Sequence, residues 1–300
     1  MPDDIPIEIW ERVIDHLWSF PATLHACAQV SRAWYSRSLF HLVGTARLTS
    51  RTRTYGFLHA LDAHPILRTR VHSVDIWGST GPDFAEEDNS AACRPPVPHL
   101  ATFAAAAARR LPAVRSLDIW RADWREPGAR ARVLTHLGAF TSVTELNLFR
   151  VAFPNMPTFG RLVVALPALM ILFAEDVTFR TLKYELTAFC TRPCALRTIC
   201  LDGATVPHMI DFLIDPADIL RGVVKVTVGW YQPLPIEMLE AWHIKEMLNA
   251  VGEALDNFSL WMEGLEVDST VALGSISRCS QHRHVLTILT RMTWCQQRNA

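Results

Sequence analysis

With 300 residues, half of them apolar and a fifth charged, and a formal net charge of -1, the chain is long enough for a sizeable core or for two units and has an ordinary globular balance. Near-neutral charge excludes a strong sequence-independent pull on nucleic acid or anionic lipid, so neither is expected as a partner. No apolar run reaches the ~18 residues a bilayer span needs, and the first residues are acidic rather than basic and then apolar, so the chain reads as cytoplasmic or nuclear.

The first forty residues read as three short helices. Pro6 suits a helix start because the first turn has no partner for its N–H, and Asp3 and Asp4 just before it favour the positive end of the helix dipole. Ile9, Trp10, Val13, Ile14, Leu17 and Trp18 then recur at helical spacing. Pro21 breaks the run, and Thr23 is the expected cap of a second helix carrying Leu24, Cys27 and Val30. A third helical piece runs on from Ser31 to about Phe40. So small a unit buries too little surface to be stable alone. Its apolar residues pack either on the rest of the chain or on a partner.

Ile5-Pro6-x-Glu8-Ile9, then Val13-Ile14-Asp15-x-Leu17, then Leu24-x-x-Cys27-x-x-Val30-Ser31-Arg32-x-Trp34 resembles an F-box, with Ile5 where that family usually has leucine. The resemblance covers residues 1-40. It implies a substrate receptor that docks on the Skp-family adaptor and, through it, on a cullin-RING ubiquitin ligase. The candidate adaptor contacts it implies are Ile5, Pro6, Ile9, Ile14, Leu24, Cys27 and Val30, while Trp34 serves either the adaptor or the head's own core.

Residues 41-300 carry a repeated apolar-x-x-apolar-x-apolar unit, a short strand with alternate residues buried. It appears at Val71-Val74-Ile76, Val114-Leu117-Ile119, Val143-Leu146-Leu148, Leu169-Leu172-Ala174, Leu196-Ile199-Leu201, Val223-Val226-Val228 and Leu255-Phe258-Leu260. Val43-Ala46-Leu48 is a weaker first copy and a doubtful last one starts at Val285. The interval between copies is 26 to 32 residues, apart from one of 43 between Val71 and Val114. Helical segments are expected between strands, around Tyr55 to Ile66, Leu100 to Leu111, Phe159 to Leu166, Met209 to Leu213 and Ala241 to Leu255.

The expected fold is therefore α/β, an N-terminal three-helix F-box followed by an irregular leucine-rich-repeat-like solenoid of strand–helix units. The alternative is an ordinary α/β domain with parallel strands. The chain departs from the repeat family after the strand, where Ala122, Val151, Val177 and Ala204 stand in place of the usual Asn or Cys. The long interval contains an expected exposed loop, 79-98, rich in proline and acidic residues, and Tyr231 to Pro235 is a shorter break. Basic stretches such as Arg68 to Arg70 and Arg125 to Arg132 read as solvated loops.

Residues between the buried positions of each strand should face outward. Asp75, Asp118, Asn147, Phe173, Cys200, Thr227 and Ser259 fill the mid-strand slot. Trp77, Trp120, Phe149, Glu175, Asp202, Gly229 and Trp261 fill the slot that ends the strand. The candidate target-binding strip is Asp75, Trp77, Asp118, Trp120, Arg121, Asn147, Phe149 and Arg150, because aromatics with arginine are the residue types enriched at interface hot spots. The competing expectation is that these aromatics fold over the edge and pack under the 79-98 loop.

No catalytic constellation stands out: there is no phosphate-binding loop, no nucleophile elbow and no metalloprotease helix, so the chain reads as non-catalytic. Of the seven cysteines only Cys190, Cys194 and Cys200 cluster. They lack zinc-site spacing and a matching His pair, and His282 and His284 are equally weak, so neither metal nor other cofactor is expected. A repeat scaffold whose helical head caps its apolar end is the rival reading of the whole chain.

Overall fold

The computed structural model describes residues 5–18, 20–78, 96–124, 130–183, 195–214, 219–220, 222–229, 234–235, 243–263 and 285–290. It is an α/β protein whose sheet pairings are all parallel among the described residues. Asp3, Asp4, Cys190, Cys194, His282, His284 and residues 79–95 of the expected loop lie outside the described residues.

The head consists of α1 (Ile7–His16), α2 (Pro21–Val30) and α3 (Arg32–Leu42). Helix α1 begins one residue later than expected, because Pro6 keeps an extended ψ of 144° and takes the cap position. Helix α2 starts at Pro21, whose fixed φ fits the first turn, so Thr23 lies inside the helix and does not cap it. Ser31 caps α3 by accepting a hydrogen bond from the Trp34 N–H at 3.3 Å. Asp15 on α1 joins α1 to α3: Arg37 donates to both of its oxygens at 2.6 and 2.5 Å, and His41 Nε2 lies 2.7 Å from Oδ1. The Arg37 hydrogen bonds hold the Asp15 carboxyl well below the usual carboxylate range. Ile14 and Leu24 are buried in the head, and Trp34 packs on Trp10 with ring centroids 4.8 Å apart.

Strands follow at the predicted places. They are β1 (Thr45–Leu48), β2 (Ser73–Trp77), β3 (Ser116–Trp120), β4 (Glu145–Phe149), β6 (Ile171–Glu175), β8 (Thr198–Asp202), β9 (Lys225–Val228) and β11 (Asn257–Glu263). In the sheet they stand in that order, and β12 (Val285–Thr290) pairs with the far side of β11. The two-residue β10 (Leu234–Pro235) also pairs with β11, so it belongs to the sheet where the sequence suggested only a break. Each predicted apolar triad from Val71 to Leu260 is buried. The register is constant: Val74, Leu117, Leu146, Leu172, Ile199, Val226 and Phe258 form one row. A side chain withdrawn this fully from water contributes about 1.5–3 kcal/mol.

Just before each strand one carbonyl accepts two successive N–H groups of the next unit. Gly44 O accepts from His72 and Ser73, His72 O from Arg115 and Ser116, and Arg115 O from Thr144 and Glu145; the pattern runs on to Val224 O.

One face of the sheet is covered by a helix layer in chain order. It comprises α4 (Arg51–Ala63), α5 (Pro98–Ala107), α6 (Arg130–Leu137), α7 (Met156–Ala165), α8 (Val206–Ile214) and α9 (Ile244–Val251). Helix α5 is shorter than expected because Ala108 leaves helical geometry with ψ 129°. Helix α6 runs partly through the Arg125 to Arg132 stretch that reads as a solvated loop. The proline-rich end of the 79-98 segment is also structured, since Pro96 bridges Asp123 and Pro98 opens α5.

After β3, β4, β6 and β8 the chain passes through a left-handed residue, at Arg121, Arg150, Asp176 and Gly203, with φ of 46°, 55°, 48° and 107°. Beyond this turn Ala122, Val151 and Val177 are buried where the repeat family has asparagine, whereas Ala204 is exposed. Their carbonyls are satisfied by the next unit: Ala152 N donates to Ala122 O at 2.8 Å, Thr178 N to Val151 O at 2.9 Å, and the Thr205 hydroxyl to Val177 O. An asparagine side chain has nothing left to satisfy there. The same ladder contains β5 (Ala152–Asn155) paired with β7 (Thr178–Thr181), which stacks Phe153 on Phe179 with centroids 6.1 Å apart.

Candidate functional site

Two surfaces stand out. The first is the outer surface of the head. Ile5, Ile9 and Val30 are 43%, 47% and 61% exposed, beside Ile7, Val13, Trp18 and Phe20, which are also exposed. Pro6 is exposed and Cys27 half-buried. Ile14 and Leu24, expected among the contacts, are 2% and 1% exposed, because they form the interior on which the three helices close. They position the surface rather than belong to it. The head meets the following chain elsewhere: the Arg70 guanidinium lies 4.4 Å from the Phe40 ring centroid, beside a cleft of roughly 330 Å³ lined in part by Glu11, Val43 and Leu67.

The second surface is the face of the sheet opposite the helix layer. Constant register brings Asp75, Asp118, Asn147, Phe173 and Cys200 into one row and Trp77, Trp120, Phe149, Glu175 and Asp202 into the next. The rings stack along that row. Trp77 and Trp120 are 4.9 Å apart with planes 5° from parallel; Trp120 and Phe149 are 3.8 Å apart at 16°. Phe173 joins from the neighbouring row, 5.0 Å from Phe149. The aromatics thus pack on one another across successive strands and remain half-buried.

Beside them lies a polar network. Ser116 Oγ donates to Asp118 Oδ1 at 2.7 Å, and Asn147 Nδ2 donates to the same oxygen at 2.7 Å and to Glu145 Oε1 at 2.9 Å. Asp75, expected to face outward, is only 8% exposed. Arg47 covers it, with Nε 3.7 Å from Asp75 Oδ2 and its guanidinium carbon 5.1 Å from the Trp77 ring centroid. Burial, and then the charge of Asp118, push the Asp75 carboxyl up to about 6. Burial and the neighbouring Asp202 also raise Glu175.

Arg121 and Arg150 stand at the left-handed turn one residue past Trp120 and Phe149, and the Arg150 charge acts on Glu175 in that row. Arg47 also borders the row and was not among the expected residues. Its signal was present, since it occupies the mid-strand slot of the weak first copy, Val43-Ala46-Leu48. The side chain of Trp261 lies outside the described residues.

Among the described residues no three of His, Cys, Asp and Glu group as a metal cage, and no helix is long and apolar enough to cross a membrane. Burial raises the Cys200 thiol, which leaves it a poor nucleophile. Comparison with protein-family models and with curated proteins returns no match.

Proposed function

We propose that this chain is a substrate-recognition subunit of a Skp–cullin–F-box type ubiquitin ligase. The head is an F-box that binds the Skp-family adaptor, and the remainder is a leucine-rich-repeat-like solenoid that holds a target on the sheet face opposite its helices. Catalysis by such a receptor is proximity; other subunits supply the reacting groups. The observation that carries the reading is the head's surface: Ile5, Ile9 and Val30 stand open rather than packed against the chain that follows. Apolar residues clustered in this way mark a docking surface.

The rival, a scaffold capped by its head, is favoured by the Phe40–Arg70 contact and by the cleft beside it. Capture of a purified Skp-family adaptor by the full chain, compared with an Ile9→Ala, Val30→Ala double variant, separates the two. Capture by the parent and loss in the equally folded variant supports the receptor. No capture by a folded parent leaves the capped scaffold.

A further inference from the structure

We propose that the cleft between the head and the first repeat receives an acidic protein segment, one large apolar side chain of which enters the cleft while its carboxylates meet arginines on the repeat side. This site goes beyond the receptor reading and does not depend on it.

Shape is the first argument. The cleft lies where α3 faces the short helical turn Pro65–Thr69 that leads into β2. Leu39, Phe40 and Val43 line it from the end of the head, and Ile66 and Leu67 from the turn. Its volume of roughly 330 Å³ is near the ~300 Å³ lower bound of ligand pockets, enough for a large side chain. Phe40 and Ile66 remain exposed, the latter by 61%. Apolar groups left open on both walls of a concave surface gain by taking an apolar side chain out of water.

Charge is the second argument. Residues 51–73 and 96–117 carry the first two helices of the layer and the turns behind them, and they contain seven arginines and a single carboxylate, Asp62. That carboxylate is already shared: its Oδ1 accepts from Arg68 Nη2 at 3.1 Å and from Arg110 Nη2. The same two arginines also close helix ends, on the carbonyls of Leu61 and Ala106. Arg70, in the cleft wall, is different. Its half-buried guanidinium lies over the Phe40 ring and meets no carboxylate among the described residues. The exposed Arg109 and Arg115 meet none either.

The head side adds no net positive charge, because Asp15 holds Arg37 and His41 and Glu11 lines the same wall. The carboxylates of a bound segment therefore turn toward Arg70 and the arginines behind it, away from Glu11. The planar guanidinium of Arg70 offers a carboxylate two parallel hydrogen bonds. An apolar segment without carboxylates would leave Arg70 unmatched, and an acidic one without an apolar residue would leave the cleft walls wet. The two requirements together define the occupant.

The test uses the full chain and a fluorescein-labelled Gly/Ser peptide carrying one phenylalanine followed by four glutamates, read by fluorescence anisotropy. One control peptide has serine for the phenylalanine, and another has lysines for the glutamates. The first peptide should bind saturably, and both controls should bind at least about 10-fold more weakly. Ile66→Ser, at an exposed position that leaves the fold intact, and Arg70→Gln should each weaken the first peptide by about 3- to 30-fold. Arg70→Lys, which keeps the charge, should retain part of the binding. Lys245→Gln on α9, an exposed cation away from the cleft, should change nothing.

No saturable binding, equal binding of either control peptide, or insensitivity to both Ile66→Ser and Arg70→Gln would each overturn the proposal. Adaptor capture measured on the same preparation keeps the two ideas apart. Capture without peptide binding removes only this inference, and peptide binding without capture removes the receptor and leaves the acidic-segment site.

Discussion

The indoles of Trp77 and Trp120 lie face to face, 4.9 Å apart and 5° from parallel, although they come from strands separated by the longest interval between repeats. Because Trp120 also stacks on Phe149, it is the middle member of the row. Trp120→Ala removes both contacts. In urea unfolding it should cost about 2–3 kcal/mol, below the full cost of a buried tryptophan because the ring is half-exposed. Circular dichroism gives an independent readout: the exciton signal of the Trp77–Trp120 pair should vanish. If that signal survives in the variant, the two rings do not stack in solution.

Asp75 should make stability fall as pH rises. Its folded-state carboxyl is raised above the ordinary value, so the folded chain holds the proton more tightly than the unfolded chain. Its favourable contribution is complete below the ordinary value of 3.8 and is lost as pH climbs through about 6. Asp75→Asn removes this penalty and should raise stability at pH 7.5 by up to ~2 kcal/mol. The advantage should shrink steadily on titration toward pH 4, as thermal melts across that range would reveal. A constant difference at every pH would rule out the titration.

Asp15 should behave in the opposite sense. Arg37 and His41 hold its carboxyl low, so its contribution is present above the ordinary carboxylate value and is lost as pH falls below it. The pair is a third exposed, so the effect is discounted for screening: Asp15→Asn should cost about 1 kcal/mol at neutral pH. Hydrogen exchange should show α1 opening more readily in the variant, with the strands unaffected.

The head separates packing from docking. Leu24→Ala leaves a cavity in its interior and should destabilise it by about 2–4 kcal/mol. Ile9→Ala and Val30→Ala act on open surface and should each change stability by less than ~0.5 kcal/mol. If both exposed substitutions also leave adaptor capture intact, the proposed docking surface is wrong.

Gly203→Ala tests the turn after β8. An added Cβ would approach Asp176 Cα to 3.0 Å, at a φ of 107° that side chains rarely adopt. A loss of about 1–3 kcal/mol is expected in denaturant titrations. A neutral result would mean that this turn relaxes.

The strands were legible because Leu146, Leu148 and their equivalents alternate between core and open face, a period that a helix does not share. The second ladder was not. Ala152–Asn155 is short, contains Pro154, and pairs only because the left-handed turn at Arg150 brings it alongside Thr178. Helix α6 was hidden because its first turn carries Arg130 and Arg132, which suit a solvated loop equally well. In the head, Ile9 and Ile14 belong to one helical stripe, and spacing alone does not tell which of them turns inward when the helix closes on two others. The aromatic row was visible as equal offsets, but the burial of Asp75 depends on Arg47, which lies in the least regular copy.

Leu169, Leu196 and Val223 open three successive units at equal spacings of 27 residues, and their strands pair without any stagger. The backbone of each of these strands offers its neighbours the same register as the next. This part of the sheet is therefore built in links of equal length. A whole link excised between Leu196 and Gly222 would let Val223 take the place of Leu196 against β6. Shortening by a fraction of a link would turn every later side chain out of phase. The length of the sheet is thus open to change only in whole steps, while the head at one end is left as it was.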